Sequence, residues 1–311
     1  MVKARVGVLR GGASHDYRAS LAMGAAVLKH LPATYQGNDI LIDRSGVWHW
    51  KGVPASPSLV ARQVDVFWNV LSAAAGDTSP VSGILNQLGL PYTGSEMAVA
   101  ALGGNRILAK EVFRRAGFRV PSEIVFKVVA DQSFKVAAAA REVFDRISPP
   151  WVVKPASGGS VTSFALAKTF AQLVAALEVA KKLSRSILVE PYLRGCQAVC
   201  GVVDTFRGQT TYALPPVELG SDNQTGICPA NFGAEEKREI ETLAIAAHRA
   251  LSLRHYSCSI FVLTAQGIYL LETNSSPSLT HDSHLPRALA AVGCPYPHFL
   301  DHVLSLALNK N

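Results

Sequence analysis

The stretch Tyr269–Thr280, "YLLETNSSPSLT", sets a carboxylate, Glu272, and an amide, Asn274, two residues apart at the end of an apolar run, just before a Ser-Ser-Pro turn. In a strand, successive side chains alternate between faces, so Glu272 and Asn274 share one face. Two oxygen donors on one face make half of a magnesium site, because that ion takes hard oxygen ligands and keeps several waters. The competing reading is a polar strand end whose Asn simply starts the turn. These twelve residues leave both open.

Working outward, "WVVKPASGGS" (151–160) ends an apolar strand on Lys154 and runs into a Gly-Gly-Ser loop. Lysine is a compact charge suited to phosphate, and glycines let the backbone approach one closely. An ordinary hairpin turn has the same appearance, and the spacing is not that of a Walker loop. In "SILVEPYLRG" (186–195), Glu190 closes an apolar run with an aromatic two residues later. Such a hinge can offer a carboxylate and backbone groups to a purine edge, or it can be a plain strand exit. The N-terminal "ARVGVLRGGASHDYRASLAMGAAVLKHL" reads as strand, Gly-rich turn and helix, with turn amides able to face an anion.

The chain has 311 residues, 17% charged and 49% hydrophobic, a composition of packed globular units rather than of a disordered chain. No apolar run reaches the roughly 18 residues that span a bilayer. The opening residues read as a first strand and not a signal peptide. Five cysteines, all beyond residue 195, lack metal-finger spacing and read as reduced thiols in a cytoplasmic protein. The net charge of +7 is spread along the chain. Without interleaved aromatics it implies solvated surfaces and no nucleic-acid partner.

Strands and helices alternate throughout: "NDILIDRSG" and "VWHWKG" form a hairpin, "VDVFWNVLS" a buried strand, and two helices flank Gly103 and Gly104. The expected organisation is a parallel α/β unit over 1–96, a central α+β lid over 97–187 and a C-terminal sheet unit over 188–311 that carries most of the site, with the units knit together.

Taken in order, "VGVLRGGASHDYRASLAMGAAVL", "LNQLGLPYTGSEMAVAAL", "WVVKPASGGS", "ILVEPYLRG", "CPANF" and "YLLETNSSPSLTHDS" resemble the bacterial D-alanine-D-alanine ligase family, within the ATP-grasp ligases, from about Arg5 to Leu306. The resemblance implies a three-unit α/β ATP-grasp fold whose N-terminal domain is built on a parallel sheet. It also implies ATP and Mg2+ as cofactors, a small amino-acid substrate such as D-alanine, a role in peptidoglycan precursor synthesis, and a homodimer. Its residues carry over as follows. Lys154 and Arg106 would hold phosphates, Arg106 standing for the lysine of an Asp-Lys pair that here reads Asn105-Arg106. Glu190 and the backbone around Tyr192 would hold adenine, and Gln197 stands where a ribose-binding glutamate is usual. Glu272 and Asn274 would hold the metal. Asp16 stands for a glutamate at the amino group of the first substrate, Ser160 lies in the closing loop, and Ser283 matches a residue near the second substrate's carboxylate.

Several departures fall on chemistry. The family's arginine and aspartate strand reads Cys258-Ser259-Ile260, which removes an oxyanion donor and a metal ligand. The turn "LSAAAGDTSPVSG" (71–83) lacks the family's histidine and full acidic pair, and the chain between Leu219 and Cys228 is too short for the loop that caps the active site. Two readings follow: a divergent carboxylate-amine ligase, with D-alanine activity weak or absent or with another substrate, and an ATP-binding pseudoenzyme with a regulatory or assembly role. His281 and His284 could add metal ligands or be surface polar residues, and Cys258 has no activating partner in sequence.

Overall fold

In the computed structural model, residues 3–14, 16–71, 80–128, 134–156, 164–220 and 226–309 are described. The first unit comprises β1 (Ala4–Gly11), α1 (Tyr17–His30), β2 (Tyr35–Ile42), β3 (Trp48–Trp50), β4 (Val53–Pro54), α2 (Pro57–Ala61), β5 (Val66–Asn69) and α3 (Pro80–Leu88). The sheet order is β4-β3-β2-β1-β5. β1 is parallel to β2 and β5, as the strand–helix alternation predicts, and the expected hairpin adds β3 and β4 antiparallel at one edge. β1 is buried at Val6, Val8 and Leu9, the continuous apolar run of a strand covered on both faces.

The chain continues through α4 (Met97–Gly104), α5 (Arg106–Arg115), β6 (Ile124–Lys127), α6 (Val136–Arg146), β7 (Trp151–Pro155), β8 (Ala165–Ala167), α7 (Phe170–Leu183) and β9 (Ser186–Pro191). These strands form a separate antiparallel sheet, β6-β9-β7-β8, with α6 and α7 packed on one face around Trp151, Leu173 and Leu177. β9 hydrogen-bonds into this sheet along its length. The chain therefore leaves the middle sheet only after Pro191, and position 187/188 falls inside the strand.

The last part holds β10 (Cys196–Phe206), β11 (Gln209–Ala213), β12 (Val217–Leu219), β13 (Gly226–Ile227), α8 (Ala234–Ala250), β14 (Tyr256–Thr264), β15 (Gly267–Asn274), α9 (His284–Ala291) and α10 (Tyr296–Leu308). Its sheet runs β13-β12-β10-β14-β15, with β11 also on β10. Trp68 from the first sheet stacks on Tyr256 of β14 and meets Phe299 of α10 edge-on, so one core joins the two ends of the chain. The segment 93–96 is tied to the third sheet as well: the Gly94 N–H donates to His255 Nδ1 at 3.0 Å, and Arg254 pairs with Glu96 at 2.6 Å.

Candidate nucleotide site

Two sheets face each other across a cavity of about 490 Å³. Phe164 and Leu166, before and in β8, supply apolar surface on one side, and Ile260, Val262 and Leu271 supply it on the other. The polar lining is Arg106, Lys154, Glu190, Gln197, Glu218 and Glu272. A flat apolar slot with a few convergent polar groups is the usual form of a small-ligand site. The crossing between the sheets is tight at Gly195, where a Cβ would lie 2.0 Å from the Leu263 carbonyl oxygen.

Arg106 is placed by a helix cap. The Asn105 side-chain oxygen accepts the Ile107 and Leu108 N–H groups at 3.1 and 3.3 Å, so α5 begins at Arg106. A cation there opposes the helix dipole. Glu272, whose Oε2 lies 3.2 Å from Arg106 Nε, offsets this, and Arg106 also donates to the Pro155 carbonyl at 3.0 Å. One helical turn on, Lys110 points the same way. It is fully buried and donates to Glu190 Oε1 at 2.7 Å, to the Pro121 carbonyl at 2.8 Å and to Glu123 Oε2 at 3.0 Å. Lys154 reaches Glu190 Oε2 at 2.9 Å. That pair is a cross-strand diagonal, since Val152 is the register partner of Glu190 and Lys154 that of Leu188.

Burial alone would push the Glu190 carboxyl up, but the charges of Lys154 and Lys110 outweigh it and hold the group below the usual carboxylate range. Glu190 is thus an ionised carboxylate between two ammonium groups. Lys110 and Glu123 are the members of this ionic cluster that sequence reasoning missed. The available signal was the four-residue spacing from Arg106 on a helix whose Ala109 and Phe113 are buried.

β14 carries the Cys258-Ser259-Ile260 segment beside Glu272 and Asn274 of β15. β14 and β15 pair Ile260 with Glu272 and Cys258 with Asn274, with a bulge beside Ile260. Ile260 therefore occupies the position across from the carboxylate. Burial raises the Cys258 thiol to about 12, which excludes it as a nucleophile at ordinary pH.

The other expected residues divide. Glu272, Arg106, Lys154, Glu190, Gln197 and Tyr192 all line the cavity, whereas Asn274, Asp16 and Ser283 are not among its lining residues. The Asn274 side-chain oxygen accepts the Ser276 N–H at 2.9 Å, so it does start the turn. Ser283 Oγ donates to the Ser278 and Thr280 carbonyls within its own loop. Asp16 sits at the start of α1 with no side-chain capping bond. The Tyr192 N–H donates to the Pro150 carbonyl at 2.9 Å and so does not face a ligand. In the Gly-rich turn the Gly12 N–H is taken by the Ile42 carbonyl and the Gly11 N–H by Ser20 Oγ, so these two amides are already paired. Ser160, most of "LSAAAGDTSPVSG" and part of the segment between Leu219 and Cys228 lie outside the described residues. His281 is exposed beside Asp282, and among the described residues no group of three or more His, Cys, Asp or Glu could hold a metal. No helix of the described residues is long and apolar enough to cross a membrane.

An antiparallel β-lid facing a second sheet across a Lys- and Glu-lined slot is the architecture of the ATP-grasp class. A profile of the family described as "D-ala D-ala ligase C-terminus" matches residues 112–305. The D-alanine--D-alanine ligase of Geobacter sulfurreducens is 32% identical over 96% of this chain and 93% of its own length. The fold matches that of the VanG D-Ala:D-Ser ligase of Enterococcus faecalis at a TM-score of 0.83 with 22% identity, covering 98% of this chain and 100% of that one. It also matches the D-alanine--D-alanine ligase of Bacillus anthracis complexed with ATP at 0.78 with 23% identity, covering 98% and 97%. The chain belongs to the D-alanine-D-alanine ligase family.

Proposed function

We propose that this chain binds ATP with Mg2+ in the cavity between the middle and C-terminal sheets, and that its turnover as a D-alanine-D-alanine ligase is weak or absent. The three parts are taken as 1–96, 97–187 and 188–311, with homodimer formation and a place in peptidoglycan precursor synthesis as the family suggests. The nucleotide half of the reading is supported by the cavity itself. Phe164 and Leu166 line the cavity together with Ile260, Val262 and Leu271, apolar surface that would sandwich a ring, and Arg106 and Lys154 are the cations that would take phosphate oxygens. Glu272 is the oxygen donor that Mg2+ requires, and nucleotide phosphates and water would complete the shell. When bound, the ion supplies charge stabilisation to the phosphates.

The observation that carries the proposal is the cross-strand pairing of Ile260 with Glu272 and of Cys258 with Asn274. An apolar side chain and a neutral thiol stand at the positions where ligase chemistry needs a second carboxylate and a cation. Groups that act only in the transition state can be lost while ground-state binding persists. Losing a single oxyanion donor lowers rate by about two to three decades. The test is calorimetric binding of MgATP beside phosphate release with D-alanine, D-serine and a panel of other amino acids. Millimolar MgATP without detectable binding refutes the nucleotide half. Dipeptide formation from D-alanine at about one per second or faster refutes the other.

A further inference from the structure

We infer that Lys110 is a positioning residue of the nucleotide site: it is the permanent counter-ion of Glu190 and thereby frees Lys154 to leave that carboxylate for a nucleotide phosphate. This rests on the ATP-binding reading above. Glu190 holds two lysines, one on each oxygen, but the two differ in place. Lys154 lines the cavity, whereas Lys110 does not; it lies behind Glu190 and is 2% exposed. The carbonyl of Pro121, a residue of the cavity wall, and Glu123 behind it fix Lys110, and Arg114 in turn holds Glu123 at 2.9 and 3.0 Å. Lys110 thus has three acceptors and no path to a ligand, while Lys154 has, among the described residues, Glu190 as its side-chain partner and faces the slot.

The charged groups around Glu190 are therefore Lys154 from β7 and Lys110 from α5, with Glu123 and Arg114 in the outer layer. If Lys154 turned to a phosphate with Lys110 absent, Glu190 would be left as a buried, unpaired carboxylate. Such a group takes up a proton instead of staying charged. With Lys110 present, the carboxylate keeps a partner and remains able to accept a hydrogen bond from the ligand.

Lys110→Met and Lys154→Met separate the two roles. Without nucleotide, Lys110→Met is expected to lower the melting temperature by on the order of 5 °C or more, and Lys154→Met by clearly less. Calorimetry with MgATP at pH 7, in two buffers of different ionisation enthalpy, then reads proton uptake. Wild type should take up almost none. Lys110→Met should take up close to one proton per nucleotide and bind about 10- to 100-fold more weakly, and Lys110→Arg should return to near wild-type uptake. A merely structural lysine would not move the proton count. The inference is overturned if Lys154→Met is the more destabilised variant, or if Lys110→Met binds with unchanged affinity and no uptake. Wild type that fails to bind MgATP overturns the nucleotide reading instead. Should Lys110→Met not fold, the double variant Lys110→Met/Glu190→Gln is read in its place. It should fold and bind without uptake, and its failure to fold would show that Lys110 acts through Pro121 and Glu123 and would overturn the assignment.

Discussion

Ile260→Asp restores a carboxylate opposite Glu272, and its effect follows from the pairing. Ile260 is 7% exposed and belongs to the core that joins the first and last sheets. Burying such an aliphatic side chain contributes about 1.5–3 kcal/mol, which the substitution forfeits. The new carboxylate also faces Glu272 as a direct cross-strand partner. At about 5 Å and an effective dielectric near 20 the two charges repel by about 3 kcal/mol. Arg106, already on Glu272, takes back part of that. The net loss without metal is roughly 3–5 kcal/mol, a fall in melting temperature of about 6–15 °C. Mg2+ reverses the sign of the pair term, because two facing carboxylates are a better ligand set than one. Thermal melts across a Mg2+ series, with and without ATP, read both effects, and the variant should show a larger Mg2+-dependent rise than wild type. A variant as stable as wild type without Mg2+, or one whose Mg2+ response is no larger, would refute the placement of Ile260 across the metal position.

Three further outcomes are expected. Cys258→Arg together with Ile260→Asp should leave dipeptide synthesis below the ordinary enzymatic range of about one to a thousand per second; phosphate and dipeptide assays check this, and recovery to that range would show that these two positions alone limit the chemistry. Glu190→Gln should lose about 3 kcal/mol at pH 7 in urea unfolding, since it leaves two buried lysines short of a partner. Glu190 is held below its usual value when folded, so its contribution is full above about pH 4.3 and fades as pH falls through the folded value; the gap between variant and wild type should narrow as pH is taken progressively below about 4.3, and a constant gap would mean that Glu190 is not ionised. Cys196 is the exposed cysteine on the cavity wall, while Cys200, Cys258 and Cys294 are buried. Maleimide should therefore label Cys196 first, and MgATP should slow that labelling several-fold, as read by mass spectrometry.

The sequence made the strand ends legible and left their partners hidden, for a physical reason. Lys154, Glu190 and Glu272 each close an apolar run, and period-two alternation is a local property that survives into the fold. Lys110 carries no such mark. Its burial depends on Glu190, eighty residues away, and on Glu123, thirteen away, so a lysine that reads as helix surface becomes the centre of a buried ionic cluster. At the Gly-rich turn Gly11 and Gly12 do adopt positive φ, of 94° and 91°, but the Ile42 carbonyl and Ser20 Oγ occupy the amides of these two residues, which the glycines themselves do not announce. Asn274 shares the face of Glu272, as strand alternation requires, and its oxygen starts the turn. Whether a polar group at a strand end meets a ligand or its own backbone is decided by loops that local pattern does not describe.

The exchanges at Cys258 and Ile260 are better understood as one event than as two. The family's arginine and aspartate carry opposite charges two residues apart on one strand face. Replacing only one would leave the other buried without its partner, the situation that destabilises most. Replacing both is neutral in charge. Here it hands the surface to the core, where Cys258 and Ile260 pack with Leu279 and Leu285 against the β10–β14–β15 sheet. Around the cavity, by contrast, the described cations each have an anion: the half-buried Arg106 on Glu272, Lys154 on Glu190, and Lys110 between Glu190 and Glu123. Loss of any one of these would expose its partner, so the ATP-facing cluster resists piecemeal change. In the proposed reading, a charge-neutral exchange at Cys258 and Ile260 beside an interlocked ionic cluster is one way for a fold to lose rate while it keeps its ligand.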